Sequence, residues 1–507
     1  MQKDNAWNTY TEEQLEELEA LAKRYRAFLD AGKTERECVA ETVRIVRAQG
    51  YRSLDEVRAL GSRLQAGDKV YAVGMEKTIA LFVIGEQPLE KGMRILGAHI
   101  DSPRLDVKQD PLYEDTELAY LDTHYYGGIK KYQWVTVPLA IHGVVAKKDG
   151  TKVQVCIGER EDDPVVFVSD LLVHLSGEQM EKKARVVIEG ENLDILVGSR
   201  PLSKAKKAGE PGEAESSASD LNDAECAGTA PKTSANGAEC MESAGRESDD
   251  KKAEKDMVKQ NILAILKEAY DMEEEDFLSA ELEIVPAQKA RDCGLDRSMI
   301  MAYGQDDRVC AYTSLEALLG IPTQEYTCCC LLVDKEEIGS VGATGMQSRF
   351  FENTVAELMD CAGQYSELAL RRALCRSRML SSDVSAAYDP LYWRYFEKKN
   401  SAYFGKGLVF NKFTGSRGKS GSNDANAEYI AAIRALLDKH KVAYQTAELG
   451  KVDIGGGGTI AYISALYGME VIDSGVAVLN MHAPMEVTSK ADVYEAMKGY
   501  RAFLMEA

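Results

Sequence analysis

Near the start of the chain, Leu15, Leu18, Leu21, Tyr25 and Phe28 recur at helical spacing behind Thr11, which opens the capping-box sequence TEEQ and predicts a helix. A second helix is expected over 34–48, closed by Gly50. Short apolar runs then predict strands over 69–73, 78–84 and 94–98. From residue 107 to residue 197 the pattern changes to strands and turns, with strands expected over 135–145, 152–157, 164–168 and 184–187. Residues 203–256 contain no aromatic residue and very few large aliphatics, too little apolar surface to offset the entropy of ordering. They read as a disordered, mobile surface insertion. A helix over 258–270 and a strand over 279–287 complete this region. The remainder alternates: helix over 309–319, strand over 328–333, helix over 353–377, strands over 379–385 and 407–410, helix over 425–439, an apolar run over 475–480 and a last helix over 490–505. Such alternation predicts an α/β sandwich around a mixed sheet, formed by residues 1–103 and 291–507 and interrupted by a smaller, largely β domain over 104–290.

The candidate chemistry sits where these strands end. The run CCCLLV at 328–333 leads into DKEEIGS, and the adjacent carboxylates Glu336 and Glu337 point in different directions on turn backbone. One can bind a metal while the other stays free as a base. In AHIDSP, His99 and Asp101 lie two apart on one face of an extended segment, so Asp101 can fix the ring of His99. GQDDR brings Asp306 and Asp307, SSDVSAAYDP brings Asp383, and LNMHAPMEV brings His482. His99, Asp306, Glu337, Asp383 and His482 offer two imidazoles and three carboxylates, a donor set suited to zinc, manganese or cobalt. If one carboxylate bridges two metals and each metal takes one His and one further carboxylate, all five are used and Glu336 remains as general base. Asp307 fits a strand-end acid as well as Asp306 does.

Composition narrows the function classes. Asp plus Glu number 82 against 61 Lys plus Arg, so nucleic acid, which needs a basic face, is excluded as the main partner. The first residues have neither the apolar core nor the basic flank of a signal peptide, and no apolar run reaches membrane-spanning length. A cytoplasmic protein is expected, with no membrane partner. The 11 cysteines show no zinc-finger spacing and are expected to be free thiols, mainly in the core.

The motifs AHIDSP, GQDDR, DKEEIGS, SSDVSAAYDP and LNMHAPMEV, in this order and at these separations, resemble the aspartyl aminopeptidase family of dinuclear metallopeptidases, most closely its bacterial members. The resemblance covers the chain apart from 203–256. It implies His99, Asp306, Glu337, Asp383 and His482 as ligands of two divalent ions, most readily zinc, with Asp306 rather than Asp307 bridging. Asp101 would orient His99, and Glu336 would be the general base. It also implies a peptide substrate, a dimerisation role for the inserted domain and homo-oligomers in which dimers assemble to a tetrahedral dodecamer. His174, in DLLVHL, matches a family histidine that reaches a neighbouring subunit's active site, and Lys412, in FNKFTGSRGKSGSNDA, falls where the family has a basic residue near the substrate. The four glycines at 455–458, followed by Thr459, match a family loop near the substrate. Better-known members carry histidines where this chain has Ala386 and Asp389, so their preference for an acidic N-terminal residue transfers poorly. A dinuclear deacylase or carboxypeptidase, and a non-catalytic self-assembling scaffold, are the alternatives.

Overall fold

Strands buried on both faces organise the protein. In the computed structural model, which describes residues 4–203, 256–415 and 417–506, every residue of Met93–His99 and of Thr327–Val333 is buried. Such continuous burial is the signature of central strands covered on both sides. They lie in a nine-stranded sheet whose order is Arg52–Ser53, Lys69–Gly74, Thr78–Val83, Thr327–Val333, Met93–His99, Arg378–Ser382, Glu470–Gly475, Leu408–Asn411 and Tyr444–Thr446. The four strands from Thr327–Val333 to Glu470–Gly475 run parallel, and the neighbours Thr78–Val83 and Leu408–Asn411 run antiparallel to them.

Side-chain alternation splits each central strand between two cores. Cys328, Cys330 and Leu332 join the helices Glu12–Ala31, Glu35–Ala48, Gln305–Leu319 and Lys490–Glu506 on one face. Cys329, Leu331 and Val333 join Phe350–Cys361, Glu367–Cys375 and Ala461–Ala465 on the other. The result is a helix–sheet–helix sandwich with a mixed sheet. A five-stranded sheet adjoins it, in the order Arg291–Cys293, Met299–Ala302, Glu486–Ser489, Ala477–Leu479 and Ser385–Ala386.

The chain divides into two compact units. One comprises Met1–Pro103, Gly127–Ile129 and Gln288–Ala507, and contains both sheets just described; the other comprises Arg104–Tyr126 and Lys130–Ala287. The second unit is built on a seven-stranded sheet in which every neighbouring pair is antiparallel. Residues 204–255, nearly all of the stretch read as an insertion, lie outside the described residues.

Most expected elements are present, several with shifted ends. The first two helices both carry capping boxes, built by Thr11 with Gln14 and by Thr34 with Glu37. Three expectations fail for local reasons. The helix expected over 353–377 is two helices, Phe350–Cys361 and Glu367–Cys375, because Gly363 takes φ +65° and Ser366 caps a new start. The strand expected over 184–187 is a 3₁₀ turn, Ala184–Val186, closed by the Val186 N–H on the Lys183 carbonyl. The apolar run over 475–480 is no single strand: Glu470–Gly475 ends in the nine-stranded sheet and Ala477–Leu479 begins in the five-stranded one. Nine described cysteines are free thiols, and no helix among the described residues is long and apolar enough to cross a membrane.

Gly475 marks the change of sheet, where a Cβ would lie 1.8 Å from the carbonyl oxygen of Asp383 and 3.2 Å from Cys310 Sγ. Because backbone and not a flexible side chain blocks that space, Gly475→Ala is expected to cost at least about 1–3 kcal/mol, the usual range for overpacking. A lowered melting temperature, measured by calorimetry, checks it.

Candidate metal centre

Three adjacent parallel strands deliver the first side chains at their carboxyl ends, where sites form in open α/β sheets. His99 is the last residue of Met93–His99. Asp383 follows directly on Arg378–Ser382. Glu336 and Glu337 form a 3₁₀ turn, Glu336–Ile338, just beyond Thr327–Val333, entered through Lys335 at φ +68°. The remaining two come from turns. Asp306 belongs to the first residues of Gln305–Leu319, but it and Asp307 have non-helical backbone, so it is a helix-entry residue and not the strand-end residue expected. His482 lies beyond Ala477–Leu479 with φ +65°, a left-handed conformation rare for a residue with a side chain.

These residues converge on Asp306. Its Oδ1 lies 3.3 Å from His99 Nε2 and its Oδ2 lies 3.3 Å from His482 Nε2, so one carboxylate stands between the two imidazoles. Around His99 Nε2 are Glu336 Oε2 at 3.9 Å and Asp383 Oδ1 at 4.0 Å; beside His482 Nε2 is Glu337 Oε2 at 3.5 Å. The other ring nitrogens are engaged elsewhere. His482 Nδ1 is 2.8 Å from the Gly128 carbonyl oxygen, and His99 Nδ1 is 3.1 Å from the Asp101 carbonyl oxygen and 3.3 Å from its Oδ1. Both rings therefore hold Nδ1–H toward an acceptor and present Nε2 to the cluster, the orientation metal-binding histidines adopt.

Asp101 does more than orient His99. Its Oδ1 accepts the Glu336 N–H and its Oδ2 accepts the Glu337 N–H, each at 3.1 Å. The sequence pointed to the imidazole contact and not to these two bonds. Also missed were Glu486, whose carboxylate accepts the Asp306 and His482 N–H groups, and Ser102, whose hydroxyl donates to the Asp306 carbonyl at 2.7 Å. The Gly127–Gly128 pair was missed as well: a Cβ on Gly127 would sit 3.3 Å from Glu337 Oε2 and one on Gly128 would sit 3.4 Å from His482 Nδ1. Glu486 and Ser102 lie inside motifs already singled out, LNMHAPMEV and AHIDSP, which was the available signal.

Charge is unevenly matched here. Burial works against ionisation of Asp306, yet the imidazoles of His482 and His99 beside it hold its carboxyl well below the usual range. Burial, then Asp306, push Glu337 well above its ordinary value; burial, then Asp307 and Glu336, do the same to Asp383. Burial pushes Glu336 up to about 7. Asp306 Oδ1 and Glu337 Oε1 are buried without a hydrogen-bond partner. Atoms that should not be left so are what a cation satisfies. His99, Asp306 and Glu337 each bring a ligand atom within 4.8 Å of the others, and so do His99, Asp307 and Asp383. Imidazole nitrogen with carboxylate oxygen is a donor set that zinc accepts.

The other expected residues have the following places in the fold. Lys412 is exposed, its Nζ 3.6 Å from Asp424 Oδ1, and Asp424 also pairs with Lys419 at 2.9 Å. His174 belongs to the second unit and is exposed beside Leu171, Leu172, Val173 and Leu175. Ala386 ends the short strand Ser385–Ala386, and Asp389 caps the turn Pro390–Tyr395. Thr459 donates its hydroxyl to the buried Asp473 at 2.5 Å.

Comparison with known proteins places the chain. The family model described as "Aminopeptidase I zinc metalloprotease (M18)" matches residues 28–504. A probable M18 family aminopeptidase 1 of Clostridium acetobutylicum is 59% identical over 99% of this chain and 97% of its own. The crystal structure of aminopeptidase I from that organism superposes with a TM-score of 0.84 at 56% identity, covering 99% of each chain. The crystal structure of an M18 family aminopeptidase from Thermotoga maritima gives a TM-score of 0.86 at 40% identity over the whole of both chains. The chain belongs to the M18 family of zinc metalloproteases and is a metalloaminopeptidase, a hydrolase of peptide bonds.

Proposed function

We propose that this aminopeptidase uses two zinc ions held by His99, Asp306, Glu337, Asp383 and His482, with Asp306 bridging. The observation that carries the reading is the position of Asp306 between the two imidazoles, one oxygen toward each at 3.3 Å. Asp383 then serves the His99 side and Glu337 the His482 side. Asp307, buried beside His99 and Asp383, is a supporting charge and not the bridge. Bound zinc supplies Lewis acidity, polarising the scissile carbonyl and acidifying a water.

The chain's own part is proton handling and orientation. Glu336 has only its backbone tied by Asp101, and its carboxylate faces the cluster, partly exposed. It takes the proton from the attacking water and passes it to the leaving amine. Asp101 keeps that backbone in place and fixes the ring of His99. A chelator is expected to abolish hydrolysis and readdition of zinc to restore it. Glu336→Gln is expected to lower kcat about a hundredfold to ten-thousandfold while retaining bound zinc, as measured by elemental analysis. A Gln variant with near-normal turnover would remove Glu336 from this role.

We assign Lys412 to the substrate's first side chain and acidic residues to that position. Its ammonium group is exposed and shares Asp424 with Lys419, so a substrate carboxylate would compete with Asp424 for it. Dipeptides differing only in the first residue are the assay: Asp or Glu released fastest, and that preference lost in Lys412→Ala, is the expected result. Preferential release of Leu or Met would keep the chemistry and overturn this specificity.

The protein is proposed to act in the cytoplasm as a homo-oligomer, built from dimers through the second unit and closing to a dodecamer, with His174 reaching a neighbour's site. The exposed run Leu171, Leu172, Val173 and Leu175 around His174 supports this, since contiguous apolar surface marks interaction sites. Light scattering is expected to give the mass of a dodecamer, and His174→Ala to lower kcat without dissociating it. A monomer with full activity would refute both.

A further inference from the structure

Glu486 begins the strand Glu486–Ser489 and is buried, with 1% of its surface exposed. Its Oε2 accepts the Asp306 N–H at 2.9 Å and its Oε1 accepts the His482 N–H at 2.7 Å. A single carboxylate thereby spans the two turns whose side chains meet at 3.3 Å. Its own carbonyl is held in turn, accepting from Gln305 Nε2 at 2.7 Å. Gln305 is fully buried, and its amide is fixed by the hydroxyls of Tyr25 and Thr488 and by the Ile300 carbonyl.

The two bonds fall where the backbone needs them. His482 is at φ +65°, a conformation that costs free energy in a residue with a side chain and persists only when its surroundings impose it. Asp306 has extended backbone inside a helix entry, so its N–H has left the helical ladder and needs another acceptor. The two oxygens of Glu486 offer one acceptor to each N–H group; an amide offers one oxygen and turns an NH₂ toward the other donor.

We propose that Glu486 is a positioning residue of the metal centre, holding the Asp306 and His482 backbones in the one arrangement in which Asp306 Oδ2 and His482 Nε2 can share an ion. The inference rests on the assignment of those two residues as ligands. It goes further in making metal affinity depend on a carboxylate that touches no metal. Asp101 makes the corresponding contacts to Glu336, Glu337 and His99.

A buried carboxylate that accepts two N–H groups can also be mere scaffolding, and the protein contains a matched example. Asp492, fully buried, accepts the Gly405 N–H at 2.9 Å and the Gly407 N–H at 2.7 Å and is bonded by the Lys406 backbone as well, with no proposed metal ligand among these partners. The test compares Glu486→Gln with Asp492→Asn in the full chain, stripped of metal and titrated with zinc against a chromogenic chelator, alongside kcat, KM and thermal melting. Glu486→Gln is expected to weaken zinc binding by about ten- to hundredfold and to lower kcat with KM little changed. Asp492→Asn is expected to melt earlier with wild-type zinc affinity. Wild-type zinc affinity in Glu486→Gln, or an equal loss in both variants, would overturn the proposal. If Glu486→Gln does not fold, Glu486→Asp carries the same readout: weakened zinc binding supports the role and wild-type affinity overturns it. A wild-type zinc affinity insensitive to His482→Ala would bring down the ligand assignment itself, and the positioning role with it.

Discussion

The carboxylate of Asp101 joins what the sheet leaves apart. The ladder between the parallel strands Met93–His99 and Thr327–Val333 runs on to the Ile100 N–H, which donates to the Val333 carbonyl at 2.9 Å. Past that rung the chains diverge, and the N–H groups of Glu336 and Glu337 have no strand partner. Partly buried amides need an acceptor, and both oxygens of Asp101 supply one. The same carboxylate faces His99 Nδ1. Proposed base, proposed ligand and imidazole are therefore referred to one buried side chain, so a shift of Asp101 would move all three together.

That arrangement works against the stability of the chain on its own. Asp306, Asp307, Glu336, Glu337, Asp383 and Glu486 crowd a region faced by the imidazoles of His99 and His482. Burial and mutual repulsion push Glu337 and Asp383 well above the carboxylate range, and Asp306 stays low through its contacts with the imidazoles. Carboxyls crowded out of water add little to folding, since each must either carry a poorly matched charge or take up a proton. Their physical sense lies in what a divalent cation would change: the desolvated charges become ligands, and the repulsion becomes affinity.

How far the sequence announced all this depended on the range of each signal. Helix starts were legible because Thr11 and Thr34 act within their own turn. The central strands were legible because burial on both faces leaves long apolar runs such as CCCLLV. The change of sheet at Gly475 was not, since an apolar stretch reads the same whether it continues or turns; the break at Gly363 did leave a mark, the Gly and the capping Ser366, which the long helical reading passed over. At the site, the residues that meet could be named from their motifs, but the choice between Asp306 and Asp307 turns on which carboxylate stands between His99 and His482, a fact of the fold. Glu486 escaped notice because its partners are main-chain N–H groups, which leave no mark in a sequence.

Chemistry and selectivity rest on parts of the chain with different rigidity. Where the strand Arg378–Ser382 passes through Asp383 to Ser385–Ala386, the neighbouring strand Glu470–Gly475 passes to Ala477–Leu479, and the two stay paired in parallel on both sides of the change. The N–H groups of Asp383 and Ser385 each donate to that neighbour, at the Ser474 and Val476 carbonyls. The direction of Asp383 is thus set by a double strand and by the tight approach of Gly475. His99 and the Glu336–Glu337 turn are pinned by the adjoining strands and Asp101. Lys412, Asp424 and Lys419 are instead half-exposed, joined by ion pairs that water and salt can loosen. A reaction that tolerates little displacement of its ligands is carried by the sheet. The proposed preference among peptide ends, which needs a charge that can change partners, falls to the turns outside it.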